Sequence, residues 1–179
     1  MHSGPHSVLG AKALEPDAIR RDSEIVIENL NASQIMRYQR NRYPLLFIDR
    51  VIRASPGDSA QASKSFTYNE WFFPAHYEDE PVVPGFVTLE AMAQTFLMTF
   101  LTLPKLDGEK TGLARYDRVS FRKKLVPGDT LIFDASLDSF SRGIARGSVL
   151  ATLSGEAAAS CELTVTVPSV MSQFRPSVK

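Results

Sequence analysis

From Gly85 to Leu103 the chain carries apolar residues on every face of a helical period, from Phe86, Val87 and Leu89 through Ala91, Met92 and Ala93 to Phe96, Leu97, Met98, Phe100, Leu101 and Leu103. A helix with no polar face belongs inside a fold, so the stretch predicts a long, buried central helix. Pro84 suits its first turn, where an N–H is unpaired in any case, and Pro104 marks its far end. Such a helix would rise about 28 Å, enough to cross a bilayer. Glu90, Gln94, Thr88, Thr95, Thr99 and Thr102 argue against a membrane span, because a mid-helix acid is costly in lipid. Glu90 is the only charged side chain in the stretch, and Gln94, four residues on, shares its face.

On either side of this helix the pattern changes to the alternation of strands. Ile25, Ile27 and Leu30 outline an edge strand, and Asn31 to Arg40 a short helix capped by Asn31 or Ser33. Leu45 to Arg53 is a mostly apolar run closed by the turn Ser55-Pro56-Gly57-Asp58. Gln61 to Thr67 then alternates Ala62, Lys64 and Phe66 against serines. Beyond the helix, Gly112 to Lys123 offers Leu113, Val119 and Phe121 to an interior. Thr130 to Phe140 sets Leu131, Phe133, Ala135 and Leu137 against Asp134, Ser136 and Asp138. Ile144 to Leu153 and Ala157 to Val167 follow, and Pro168 ends the last strand. One long helix and five or six strands, mostly after the helix, predict an α+β fold and not a βαβ crossover. The expected organisation is an N-terminal arm over 1–23, one domain over 24–168 and a C-terminal tail over 169–179.

Composition narrows the function classes. With 20 basic and 20 acidic residues among 179, the chain is no general nucleic-acid binder. No secretory apolar segment appears, which predicts a cytoplasmic protein. The lone Cys161 lies in a small-residue strand and reads as an inert core thiol. His2 and His6 in the arm read as solvated groups. Phosphate-cradling glycine loops, paired-cysteine zinc spacing and a nucleophile-elbow serine are all missing, so neither metal nor cofactor is expected.

The candidate chemistry lies just before the helix. His76 sits between the aromatic run Trp71-Phe72-Phe73 and the stiff segment Pro81-Val82-Val83-Pro84-Gly85, which prolines hold extended. A histidine, a helix N-terminus with free amides at Gly85 and an acid on an apolar helix are a base, an anion-stabilising donor and an acid. Proton abstraction beside a carbonyl requires those parts. Taken alone, a histidine such as His76 is more often a hydrogen-bonded structural group than a catalyst, and Glu90 reads equally well as one half of a structural ion pair.

Three blocks then resemble a known family. Trp71-Phe72-Phe73-Pro74-Ala75-His76-Tyr77, Pro81 to Gly85 and Leu89-Glu90-Ala91-Met92-Ala93-Gln94 are similar to the active-site signature of the FabZ-type (3R)-hydroxyacyl-[acyl carrier protein] dehydratases. Arg42 to Val51 resembles that family's opening strand, and Val119 to Asp129 its later turn. The resemblance implies a hotdog fold, a curved antiparallel sheet around one long helix. It also implies a homodimer, with a trimer of dimers left open, whose sites pair His76 of one subunit with Glu90 of the other. The implied reaction is a hydro-lyase step, removing water from a (3R)-hydroxyacyl thioester to give the trans-2-enoyl product in fatty acid or related acyl-chain synthesis. His76 would take the α-proton, the Gly85 amide would hold the enolate oxygen and Glu90 would protonate the leaving hydroxyl. Gln94, Phe121 and Met92 would contact substrate.

One block departs from the family. Tyr77-Glu78-Asp79-Glu80 replaces Phe-Pro-Gly-Lys, setting three acids beside the site. An acidic carrier protein would then depend on Arg115, Arg118, Arg122, Lys123 and Lys124 for docking, and coenzyme A is the alternative carrier. A thioesterase, an isomerising dehydratase or a non-catalytic acyl-binding subunit on the same fold are the other readings.

Overall fold

The computed structural model describes residues 25–77 and 79–174. The arm over 1–23 with His2 and His6, Glu78, and the end of the tail lie outside the described residues. The elements in chain order are β1 (Ile27–Asn31), α1 (Ala32–Tyr38), β2 (Arg50–Ser55), β3 (Ser59–Ser65), α2 (Phe73–His76), α3 (Gly85–Leu97), β4 (Gly112–Phe121), β5 (Thr130–Ser141), β6 (Ile144–Leu153), β7 (Glu156–Thr166) and α4 (Pro168–Ser172).

All seven strands join one antiparallel sheet in the order β1-β2-β3-β5-β6-β7-β4. Two-residue hairpin turns connect β5 to β6 and β6 to β7. Arg142 and Gly143 (φ 50° and 78°) and Ser154 and Gly155 (φ 52° and 82°) take the left-handed backbone that matches strand twist there. The sheet wraps α3, which packs against β3, β5, β6 and β7. Their inward residues, among them Leu131, Phe133, Val149, Ala151 and Cys161, enclose Met92, Phe96 and Phe100. At Gly147 the close packing admits no side chain. A Cβ there would lie 2.0 Å from the Ser136 carbonyl oxygen and 2.6 Å from Phe96 Cε2.

Several sequence expectations hold. Asn31 caps α1 with a reciprocal bond to Gln34, β6 begins at Ile144 and ends at Leu153, and β5 buries Leu131, Phe133 and Ala135 while exposing Asp134 and Asp138. Other expectations need correction. The central helix begins at Gly85, with Pro84 as its N-cap in extended conformation, but it ends at Leu97 instead of Leu103. Beyond Leu97 the backbone runs through short turns, with Met98 N–H bonding Thr95 O and Thr99 N–H bonding Phe96 O. The Thr99 carbonyl is taken at 2.7 Å by the Gly57 N–H of the β2–β3 turn, and the Thr99 hydroxyl donates back to Phe96 O. A further helical turn would need that carbonyl.

Among the described residues there are seven strands where five or six were expected; four of the seven follow α3, in line with the expectation that most would. Leu113, Val119 and Phe121, assigned to the interior, are 48%, 40% and 50% exposed on this chain. They lie on β4, the last strand of the sheet, which among the described residues pairs only with β7. Pro168 ends β7 as expected but also opens α4, which buries Val170. Among the described residues no helix is long and apolar enough to cross a membrane.

Candidate active site

His76 ends the single helical turn of α2. Phe72 and Phe73, both buried, hold that turn by packing on each other, with Phe72 also edge-on to Phe47 and Phe66. The imidazole is part-buried and lies against the Tyr77 ring at 4.0 Å between centroids. Its Nδ1 is 2.9 Å from the Val82 carbonyl oxygen. A carbonyl only accepts, so the neutral ring carries its proton on Nδ1 and turns the Nε2 lone pair outward. Val82 is itself fixed, because the next N–H, that of Val83, bonds Leu125 O at 2.9 Å.

Glu90 lies one and a half turns into α3, part-buried. Asn41 Nδ2 and Gln94 Nε2 both donate to its Oε1, at 3.1 and 2.9 Å, and leave Oε2 for a ligand. Burial pushes its pKa above the ordinary carboxylate value, opposed by the Gln94 and Asn41 hydrogen bonds. Desolvation dominates, so the proton is held more tightly than in water. The carboxyl opens into a groove of about 570 Å³ lined by Asn41, Leu45, Ala93, Leu97 and Leu113. His76 is not part of that lining.

Gly85 starts α3 with an exposed backbone, where the first N–H groups of a helix have no internal acceptor. The Phe121 ring covers it so closely that a Cβ on Gly85 would stand 3.1 Å from Phe121 Cζ. Gly85, Phe121 and Phe86 therefore share one exposed apolar corner, with Trp71 beside Phe86 at 6.5 Å between ring centroids.

Two of the residues assigned to substrate contact have other surroundings in this chain. Met92 is wholly enclosed in the core. Gln94 is fully buried as well. Its Oε1 accepts from Phe47 N and Ile48 N at 2.8 and 3.4 Å, and its amide donates to Leu45 O and Glu90. Every polar atom of Gln94 is occupied, so it orients the acid and ties α3 to the segment before β2.

The basic cluster is largely self-compensated. Arg115 pairs with Asp117 at 2.7 Å, Arg118 with Glu162 at 2.8 Å, Lys123 with Glu156 and Lys124 with Glu80. Among the described residues Arg122 has no such partner. Asn41 and the Val82 carbonyl are the contributors that sequence reasoning missed. Asn41 is 49 positions from Glu90, and a backbone acceptor leaves no mark in side-chain chemistry. Tyr116 is a third, its hydroxyl donating to Leu89 O at 2.9 Å, with burial and then the charge of Glu90 pushing its pKa above the ordinary phenol value. Cys161 is buried as expected, its thiol pushed up to about 12 by desolvation. No group of side chains among the described residues could hold a metal ion.

An antiparallel sheet wrapped around one helix, with an acid on that helix and a histidine just before it, belongs to the hotdog class. The dehydratase heterocomplex ApeI:P from Xenorhabdus doucetiae has this fold, matching with a TM-score of 0.67 and 16% identity over 78% of this chain and 95% of its own. A family model described as a FabA-like domain matches residues 40–162. The 3-hydroxyacyl-[acyl-carrier-protein] dehydratase FabZ of Roseiflexus castenholzii is 40% identical over 134 residues, 75% of this chain and 94% of the relative. That of Oenococcus oeni is 36% identical over 134 residues, 75% of this chain and 96% of the relative. The chain belongs to the FabA-like family, among its FabZ-type dehydratases.

Proposed function

We infer that this protein removes water from a (3R)-hydroxyacyl thioester carried on an acyl carrier protein, giving the trans-2-enoyl thioester in fatty acid synthesis. The observation that carries the reading is that one chain presents both a histidine with its Nδ1 committed to a carbonyl and a carboxyl whose proton is held by burial. Elimination needs both: a base with a free lone pair and an acid that is neutral when the hydroxyl departs.

His76 Nε2 takes the α-proton, and the C–H electron pair moves toward the thioester carbonyl. The charge developing on that oxygen meets the Gly85 N–H at the positive end of α3, a contribution of about 3 kcal/mol for one such donor. As the double bond forms, the β-carbon–oxygen bond breaks, and Glu90 gives its proton to the hydroxyl, which leaves as water. The imidazolium and the carboxylate then exchange a proton through solvent. Gln94 and Asn41 hold Glu90 Oε1 in place, and the Phe121 ring packs beside Gly85. The single free Cys161 accords with a reducing cytoplasm.

The catalytic pair is assembled from two copies of the chain. β4 is ten residues long, has one edge unpaired among the described residues and carries Leu113, Val119 and Phe121 exposed, an edge that an isolated protein would have to blunt. Antiparallel pairing of β4 with its symmetry mate extends the sheet, buries that apolar stripe and brings the His76 loop of one chain toward the Glu90 groove of the other. Hydration of a crotonyl thioester, the reverse reaction, tests the assignment through loss of the enoyl absorbance. Wild type should turn over, and His76→Ala should not. Equal rates in the two proteins would refute the role given to His76.

A further inference from the structure

We propose that Lys64, through Glu70, is a positioning residue for His76, fixing the α2 turn on the sheet so that Nε2 keeps its line to the substrate; this rests on the dehydratase reading above. Lys64 occupies a core-facing position of β3, after Ala60 and Ala62 on the inward side, and is only 6% exposed. Its ammonium contacts Glu70 Oε1 at 2.6 Å and Asp49 Oδ1 at 3.2 Å, 5.9 Å from the centre of the Phe66 ring. Asp49 uses its other oxygen to accept the Ser65 N–H at 2.7 Å. One buried cation thus joins the entry to β2, the end of β3 and the loop that leads to the active site.

The link from Glu70 to His76 is short. The Glu70 carbonyl accepts the Phe73 N–H at 3.3 Å, where α2 begins, and the Glu70 N–H bonds Thr67 O at 3.2 Å. His76 is the last residue of that same helical turn. The Phe72 and Phe73 rings set the depth of the turn, and the contact of His76 Nδ1 with Val82 O ties its far end. A directional ion pair on Glu70 adds a restraint at its start, which the far-end contact does not supply. Nothing in stability requires a lysine here, since a desolvated ion pair gains little over an apolar residue of similar volume. Its contribution is geometric. A displacement of about 1 Å in a reacting group costs on the order of 100-fold in rate.

The test compares Lys64→Met, Lys64→Arg, Glu70→Gln and the double Lys64→Met/Glu70→Gln in crotonyl thioester hydration. Expected are a fall in kcat of about 10- to 100-fold in Lys64→Met with KM little changed, recovery of most of it in Lys64→Arg, and a double variant no slower than the worse single one. Wild-type kcat in Lys64→Met and Glu70→Gln, a loss confined to KM, no rescue by arginine, or additive losses would each overturn the proposal. If Lys64→Met fails to fold, Glu70→Gln decides the matter, because it leaves the ammonium paired with Asp49. A second readout does not depend on turnover, so it separates this proposal from the reading of the reaction. The ring Nδ1 proton of His76, assigned by its absence in His76→Ala, should give a protected NMR signal in wild type and Lys64→Arg and an exchange-broadened one in Lys64→Met. An unchanged signal in Lys64→Met overturns the positioning role.

Discussion

Replacing Glu90 by glutamine removes the acid and almost nothing else. Both donors that reach the carboxyl, Asn41 Nδ2 at 3.1 Å and Gln94 Nε2 at 2.9 Å, end on Oε1. A glutamine carbonyl placed there keeps both bonds, and its NH₂ takes the place of Oε2. What disappears is the transferable proton, worth about 100- to 10,000-fold for a general acid, so kcat should fall by that much with little change in KM. Stability should move the other way. Burial raises the folded-state pKa of Glu90 above 4.5. Its favourable contribution is therefore complete below that value and is lost as pH rises toward the raised folded pKa. Glu90→Gln has nothing to lose over that window. Its thermal midpoint should match wild type in acid and exceed it at higher pH. The same loss of the proton gives wild-type turnover an alkaline decline that Glu90→Gln should lack. The assay is dehydration of a 3-hydroxybutyryl thioester across pH, the direction in which Glu90 gives its proton, paired with thermal melts in the same buffers. Wild-type kcat in Glu90→Gln, or a variant less stable than wild type at neutral pH, would refute the reasoning.

Three further outcomes follow from the packing. Gly147→Ala should be destabilising by about 1–3 kcal/mol or more, read as a lower thermal midpoint, because the new methyl overlaps a backbone oxygen that has no room to retreat. Gln94→Ala strips a partner from the Phe47 N–H and from Glu90, costing about 1–3 kcal/mol for the buried group left unsatisfied, and its kcat should fall with stability in the same preparation. Cys161, with its thiol pushed up to about 12, should resist a disulfide reagent at pH 8 in the folded protein and react at once in denaturant.

The start of α3 was legible because a proline and a glycine mark it locally, and so was the shared face of Glu90 and Gln94. The end of α3 was not. An apolar run looks the same as helix or as buried turns, and the deciding bond, Gly57 N–H to Thr99 O, comes from a hairpin more than forty residues earlier. Leu113, Val119 and Phe121 show the converse failure: their alternation predicts a face away from water, but on this chain that face is exposed. Alternation reports that a surface is to be buried and is silent on which chain buries it. Lys64 was visible as a lysine in an apolar alternation. Its partner Glu70, six residues on, is brought to it by the turn after β3, which periodicity does not describe. The candidate side chains His76 and Glu90 could be named from sequence, whereas the atoms that bond them, those of Asn41 and the Val82 carbonyl, depend on three-dimensional proximity.

The central claim is that each site joins His76 of one chain to Glu90 of another, and complementation measures it directly. His76→Ala and Glu90→Gln chains, each inactive alone, are co-expressed and the mixed dimers assayed for hydration. Random pairing makes half of the dimers mixed, and each mixed dimer holds one intact site of its two, so about a quarter of wild-type activity should return. Activity no higher than that of the two inactive parents would place both groups in a single chain and contradict the account.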